Sequence, residues 1–163
     1  MNITLQHGSL EREIDLSLLS DHYDYEEEVE TWQQEVREAL GLDEDAAVPY
    51  IVTDYSDDIP ERFQTPTGPT KTFWEYFDVM EDKDEPEKWW AAESLSIPAS
   101  AVEEAFQGSY RSGEEFAQQL AEDLGLVPDD LSWLCSSIDW GHAASEIMMF
   151  DYCEEGGYYF RNL

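Results

Sequence analysis

The residues able to ligate soft metals are few and scattered: His7, His22, His142, Cys135 and Cys153. None of the histidines stands at a zinc-ligand spacing from either cysteine. Isolated histidines of this kind are structural, and two cysteines in a chain of this size read as reduced, partly buried thiols, since one bridge would staple little. The stretch DVMEDKDEPEKW, from Asp78 to Trp89, alternates acids in the manner of a calcium loop. It lacks the glycine of the sharp turn, and Glu87 does not complete the twelve-residue frame. No G-x-S-x-G, Walker loop or G-x-G-x-x-G occurs. Paired carboxylates are everywhere, but a catalytic acid needs a private, desolvated environment to raise its pKa, and the sequence marks none. These residues predict no enzyme, no metal and no cofactor.

The aromatic run from Phe73 to Trp90 has the residue types of a base-stacking platform, which normally comes with a positive groove. Here Lys71, Lys83 and Lys88 are outnumbered by Glu75, Asp78, Glu81, Asp82, Asp84, Glu85 and Glu87. Core packing explains the cluster better.

The charge balance carries more information than any motif. Among 163 residues, 39 are Asp or Glu and 8 are Lys or Arg, for a formal net charge of −31. Repulsion on that scale destabilises a compact state. With 42% hydrophobic and 13% aromatic residues, the chain is nevertheless far too rich in core material to be a disordered acidic tail. Nucleic acid and anionic lipid would be repelled, so the expected partners are basic. No apolar run reaches the ~20 residues of a membrane span and the amino terminus lacks the pattern of a signal peptide, which predicts a cytoplasmic protein.

The elements that must position these charges are largely readable. Alternation in ITLQHGSLEREIDL predicts a hairpin turning at Gly8. HYDYEEEVETWQQEVREALG predicts a helix over 24–40, with Asp24 and Glu27 as a capping box, Val29, Trp32, Val36 and Leu40 as the apolar stripe, and Gly41 as the left-handed cap. VPYIVTDY (48–55) reads as a strand. SDDIPERFQTPTGPT reads as a linker. Short aromatic helices follow from Thr72, then a helix with Pro98 in its first turn. In SGEEFAQQLAEDLGLV, Ser112 and Glu115 form a second capping box, Phe116, Leu120 and Leu124 a stripe, and Gly125 the stop. Two short helices are expected at 130–134 and at 139–149, and GGYYFRNL reads as a closing strand.

Duplex DNA carries one negative charge per ~1.7 Å of axis, so this net charge matches roughly 53 Å, or about 16 base pairs, of duplex. A compact globule of this length is only ~40 Å across. A chain that imitates duplex charge density should therefore be elongated. Carboxylates fixed on helices and turns can stand where phosphates stand, and a folded polyanion with few bases suits occupation of the DNA site of a DNA-binding enzyme.

The sequence also resembles the ArdA antirestriction proteins of phages, plasmids and conjugative transposons. The resemblance is carried by VPYIVTDYSDDIP, by AVEEAFQGSYRSGEEFAQQLAEDLG, and by SSIDWGHAASEIMMFDYCEEGGYYFRNL. In the last, an Ile-Asp-aromatic element opens a helix and a Gly-Tyr-x-Phe-Arg element ends the chain. The family's amino-terminal strand pair is shortened or replaced before Asp24, and Gly141-His142 stand where an acidic and a bulky residue are expected. The resemblance implies an α+β fold in an elongated chain of three small domains: an α+β domain at 1–58, a central helical domain at 59–107, and an α+β dimerisation domain at 108–163. It further implies imitation of bent duplex DNA that blocks type I restriction-modification enzymes in the cytoplasm of a bacterial host, at their DNA-specificity and methyltransferase core. No catalytic residue transfers.

The expected mimic surface comprises Glu26, Glu27, Glu28, Glu30, Glu35 and Glu38 of the first helix, with Asp54, Asp57 and Asp58. It continues through Asp78, Glu81, Asp82, Asp84, Glu85 and Glu87 to Glu103, Glu104, Glu114, Glu115, Glu122 and Asp123. The expected homodimer interface comprises Ile138, Trp140, Ile147, Met148 and Phe150, apolar residues too many for so small a domain to bury alone. Two rival readings share the composition. One is an acidic adaptor for another basic protein, such as a nuclease, a CRISPR effector or a histone-like factor. The other is halophilic adaptation, in which the chain should unfold in low salt, whereas a mimic only gains stability as its charges are screened.

Overall fold

A computed structural model describes residues 1–127 and 135–163. The helix expected at 130–134 lies outside the described residues. The fold is mixed α+β, and the chain divides into two compact units, Met1–Glu87 and Lys88–Leu163.

In the first unit β1 (Asn2–His7) and β2 (Leu10–Asp15) form the expected hairpin about Gly8. Alternation sends Ile3, Leu5 and Ile14 inward, where all are buried. β3 (Ile51–Tyr55) pairs antiparallel with the other side of β1, so the order is β2-β1-β3. It is shorter than the run 48–55 suggests, because the chain joins the ladder only beyond Pro49, which has no N–H to donate.

Helix α1 (His22–Leu40) buries Tyr25, Val29, Trp32 and Val36. Its cap is Asp21, not Asp24: the Asp21 carboxylate accepts from the amides of Tyr23 (2.9 Å) and Asp24 (3.2 Å). Asp24 instead accepts from the Ser20 amide and hydroxyl, which hold its carboxyl below the ordinary range. Tyr25 extends the stripe by one turn at the helix start. Leu40, in the last turn, is half exposed at 51% and not part of the stripe. Gly41 closes the helix at φ 64°, a left-handed conformation that favours glycine.

The segment read as a linker is packed. Ile59 and Phe63 are buried, the Val52 amide donates to Pro66 O (2.8 Å), and the Tyr55 hydroxyl donates to Thr65 O (2.7 Å). The outer edge of β3 is thereby covered by the chain that follows it. Thr70 caps α2 (Lys71–Phe77), which buries Phe73, Trp74, Tyr76 and Phe77. These aromatics are core, as their charge surroundings predict.

In the second unit α3 (Glu87–Ser94) buries Trp89 and Trp90. The helix expected around Pro98 is broken into a single 3-10 turn (Ala99–Ala101) and the short α4 (Val102–Ala105). The chain then leaves helix for an unexpected strand, β4 (Phe106–Ser109). The carboxy-terminal β5 (Tyr152–Glu155) and β6 (Tyr158–Arg161) form a hairpin, and β4 pairs with β6 to give the order β4-β6-β5. α5 (Gly113–Asp123) is capped by Ser112, whose hydroxyl accepts from the Glu115 amide (3.3 Å). The Glu115 carboxylate reaches back to the Arg111 amide (2.8 Å), one residue beyond the Ser112 amide that a regular capping box would use. Phe116 is buried, Leu120 half-buried, and Leu124, beyond the last helical residue, is 63% exposed rather than part of the stripe. α6 (Trp140–Phe150) starts at Asp139, as expected, and lies against α5. Among the described residues, no helix is long and apolar enough to cross a membrane.

Candidate functional site

Charge of this density needs somewhere to go, and the fold sends it outward: no charged side chain among the described residues is buried. On α1 the apolar stripe faces inward, so Glu26, Glu27, Glu30, Glu35 and Glu38 are exposed and Glu28 is half-buried. Carboxylates at these spacings have β-carbons only ~5–6 Å apart. Asp54, Asp57, Asp78, Glu81, Asp82, Asp84, Glu85 and Glu87 are exposed, and Asp58 is half-buried. In the second unit Glu103, Glu104, Glu114, Glu115, Glu122 and Asp123 are all exposed.

Several of these acids also hold the fold. Asp58 lies 3.2 Å from the amino-terminal ammonium. Asp78 accepts from the His22 backbone amide (2.9 Å) at the start of α1, Asp82 from the Asp84 backbone amide (3.1 Å), and Glu122 and Asp123 from the side-chain amides of Gln118 and Gln119. Such bonds fix carboxylates in place while leaving their charge at the surface. Exposed acids outside the expected set include Glu11 and Glu13 on β2 and Glu154 and Glu155 on the carboxy-terminal hairpin. Alternation along β2 was the signal that could have found Glu11 and Glu13; Glu154 and Glu155 are consecutive and stand at the hairpin turn.

Half of the eight bases are turned to internal work, while Arg62, Lys71, Arg111 and Arg161 are exposed. Arg12 on β2 bridges Glu28 (2.9 Å) and Glu35 (3.1 Å) of α1. The Arg37 guanidinium donates to Ala46 O (2.9 Å), and Lys88 pairs with Glu103 (2.6 Å). Lys83 donates to the Leu19 and Ser20 carbonyls, both at 2.6 Å, and its ammonium lies 3.8 Å from the Phe77 ring centroid. Burial pushes its pKa down, opposed by Asp78, Asp21 and Asp24. Replacing Lys83 by Met removes two charge-assisted bonds and leaves those carboxylates facing one another. We expect a loss of about 2–3 kcal/mol in denaturant unfolding, against a change near zero for the exposed Lys71→Met.

The apolar residues expected at a dimer interface are unevenly covered. In α6 only Ala144 is buried. Ile138 is 40% exposed and Phe150 74%, while Trp140, Ile147 and Met148 are half-buried. Trp140 has an internal partner, donating from Nε1 to Cys135 O (2.9 Å). Met149, counted with them as apolar surplus in this segment, is 62% exposed, more open than Met148. Leu120, Leu124, Ile138 and Ile147 line an apolar groove of 340 Å³ between α5 and α6.

Among the described residues, no group of three or more His, Cys, Asp or Glu side chains is placed to hold a metal ion, and Cys135 and Cys153 are half-buried free thiols. Sequence reasoning also missed an aromatic recess at the start of α1, where His22 and Tyr25 meet Trp74. The aromatic residues at 22 and 25 share a helix face, but their partner lies far along the chain. Comparison with protein-family models, curated proteins and solved structures found no match.

Proposed function

We propose that the chain is a DNA mimic of the antirestriction kind, a homodimer that occupies the duplex-binding surface of a type I restriction-modification enzyme. The observation that carries this reading is the division of labour among charges. Acids on helices, turns and strand ends stand at the surface, while Arg12, Arg37, Lys83 and Lys88 are engaged within the fold. Arg62, Lys71, Arg111 and Arg161 also lie at the surface, but the acids there far outnumber them, so the outward field is strongly negative, and backbone amides hold some of its carboxylates in place.

A halophilic surface needs charge but no fixed geometry, and the amide-bonded Asp78, Asp82 and Glu115 favour the mimic. In this reading the chain is an elongated series of three small domains. Copies join through the uncovered apolar side of α6, so that two acidic surfaces form one longer polyanion. The mimic has no catalytic residue and acts by competition.

The test is an inhibition assay against a type I restriction-modification enzyme. Inhibition should be stoichiometric and should be relieved as unmodified duplex DNA is added. Irreversible inactivation by a substoichiometric amount, or a block that excess DNA leaves untouched, would overturn the proposal.

A further inference from the structure

The start of α1 and the chain that follows α2 are pinned together at the surface. The Asp78 carboxylate accepts from the His22 backbone amide (2.9 Å), and the Lys83 ammonium donates to the Leu19 and Ser20 carbonyls, both at 2.6 Å. These bonds hold residues 18–23 against residues 78–83. Both segments turn large apolar side chains outward: Leu18, Tyr23 and Val79 are 82%, 65% and 44% exposed. Single exposed apolar residues are ordinary, but three on two segments fixed side by side mark a contact surface.

The surroundings give the sign of the partner. Asp78, Glu81 and Asp82 stand exposed around Val79, and Glu27 stands exposed one turn along α1 from Tyr23. Lys83 is the only Lys or Arg in 18–27 or 78–83, and its ammonium is turned to the two carbonyls. A hydrogen bond to Glu27, with the charge of that carboxylate, raises the Tyr23 hydroxyl above its ordinary pKa. The bond also fixes the ring in an outward position, which lowers the entropy lost when a partner covers it. A second copy would set acids against acids, and nucleic acid or anionic lipid would be repelled in the same way.

We infer that this patch is a docking surface for a basic protein, on which an aromatic or aliphatic side chain of the partner seats on Leu18, Tyr23 and Val79 while flanking arginines or lysines meet the surrounding carboxylates. Tyrosine is among the residues that most often anchor an interface. The identity of the partner alone rests on the mimic reading. A DNA-binding surface sets phosphate-holding cations around side chains that touch base edges, so the carboxylates engage the first group and the apolar patch the second.

Binding is tested on the intact protein with two end-blocked peptides of equal charge, one with tryptophan and one with alanine between two pairs of arginines. NMR of the Tyr23 ring and of the Leu18 and Val79 methyl groups reports where they sit. The tryptophan peptide should shift these signals and bind about fivefold more tightly than the alanine peptide, an advantage that persists as salt rises because an apolar contact is not screened. Leu18→Ser, Tyr23→Ser and Val79→Ser together alter neither charge nor any buried residue, and in this variant the two peptides should bind alike. Leu18→Ser alone, at the most exposed of the three positions, should lower the advantage about twofold.

Equal binding of the two peptides by the wild type, or an advantage that survives in both variants, would overturn the surface. Because this assay contains no enzyme, its result is independent of the antirestriction reading. If the advantage is found but the triple variant inhibits a type I restriction-modification enzyme as well as the wild type does, that enzyme is overturned as the partner and another basic protein takes its place.

Discussion

Replacing Glu26, Glu27, Glu28 and Glu30 together by Gln is expected to weaken inhibition of the restriction enzyme by roughly 10- to 100-fold at low salt, while no single replacement does so. A mimic substitutes many weak contacts for phosphate contacts, so affinity scales with the number of neutralised charges and falls as salt rises. Exposed single charges are worth ~1 kcal/mol or less, hence Asp82→Asn alone should cost under about fivefold. Four charges removed from one face should also flatten the dependence of affinity on salt by about three to four log units per log unit. Glu28 is bridged to Arg12, so its loss also releases a base, and the triple variant that spares it separates the two effects. The measurement is a graded series of variants assayed at two salt concentrations. If one substitution abolishes inhibition in a protein that stays folded and dimeric, a specific pocket or catalytic centre acts there and collective mimicry is wrong.

The dimer should be equally sensitive at α6. Met149 and Phe150 are 62% and 74% exposed, so changing both to Asp leaves the fold of the single chain intact. In an apolar interface the same two charges are buried without partners, and the dissociation constant should rise by on the order of 10²-fold or more. Sedimentation equilibrium reads this directly. Small-angle scattering on the wild type adds shape: a monomer with a radius of gyration near ~15 Å would overturn both the dimer and the elongated arrangement. Inhibition by the Met149→Asp, Phe150→Asp variant should fall with dimer content, because a monomer offers a shorter run of charge.

The sequence by itself determined whatever a few neighbouring residues decide. Gly8 turns the first hairpin, Gly41 ends α1, Ser112 and Asp139 open α5 and α6, and the carboxylates fall outside because an apolar stripe can only face in. Each of these signals acts across one turn of chain, through a cap, a left-handed glycine or a period of 3.6. Even so, Asp21 outcompeted Asp24 for the cap, since either carboxylate was in reach of the first free amides and only the path of the preceding loop chose between them.

Tertiary structure decided the contacts that close long loops. β4 exists because β6, about fifty residues later, offers its edge, and of its residues only Phe106 fell in the helix expected from local sequence. The supposed linker at 56–70 is held by the open side of β3, a partner no composition reveals. Lys83 is drawn from an acidic run to two carbonyls before α1, and Tyr25 meets Trp74 across a similar gap, which creates the recess. Periodicity records which face of an element is apolar. It does not record which other face will cover it, because that choice balances loop closure against packing over the whole unit.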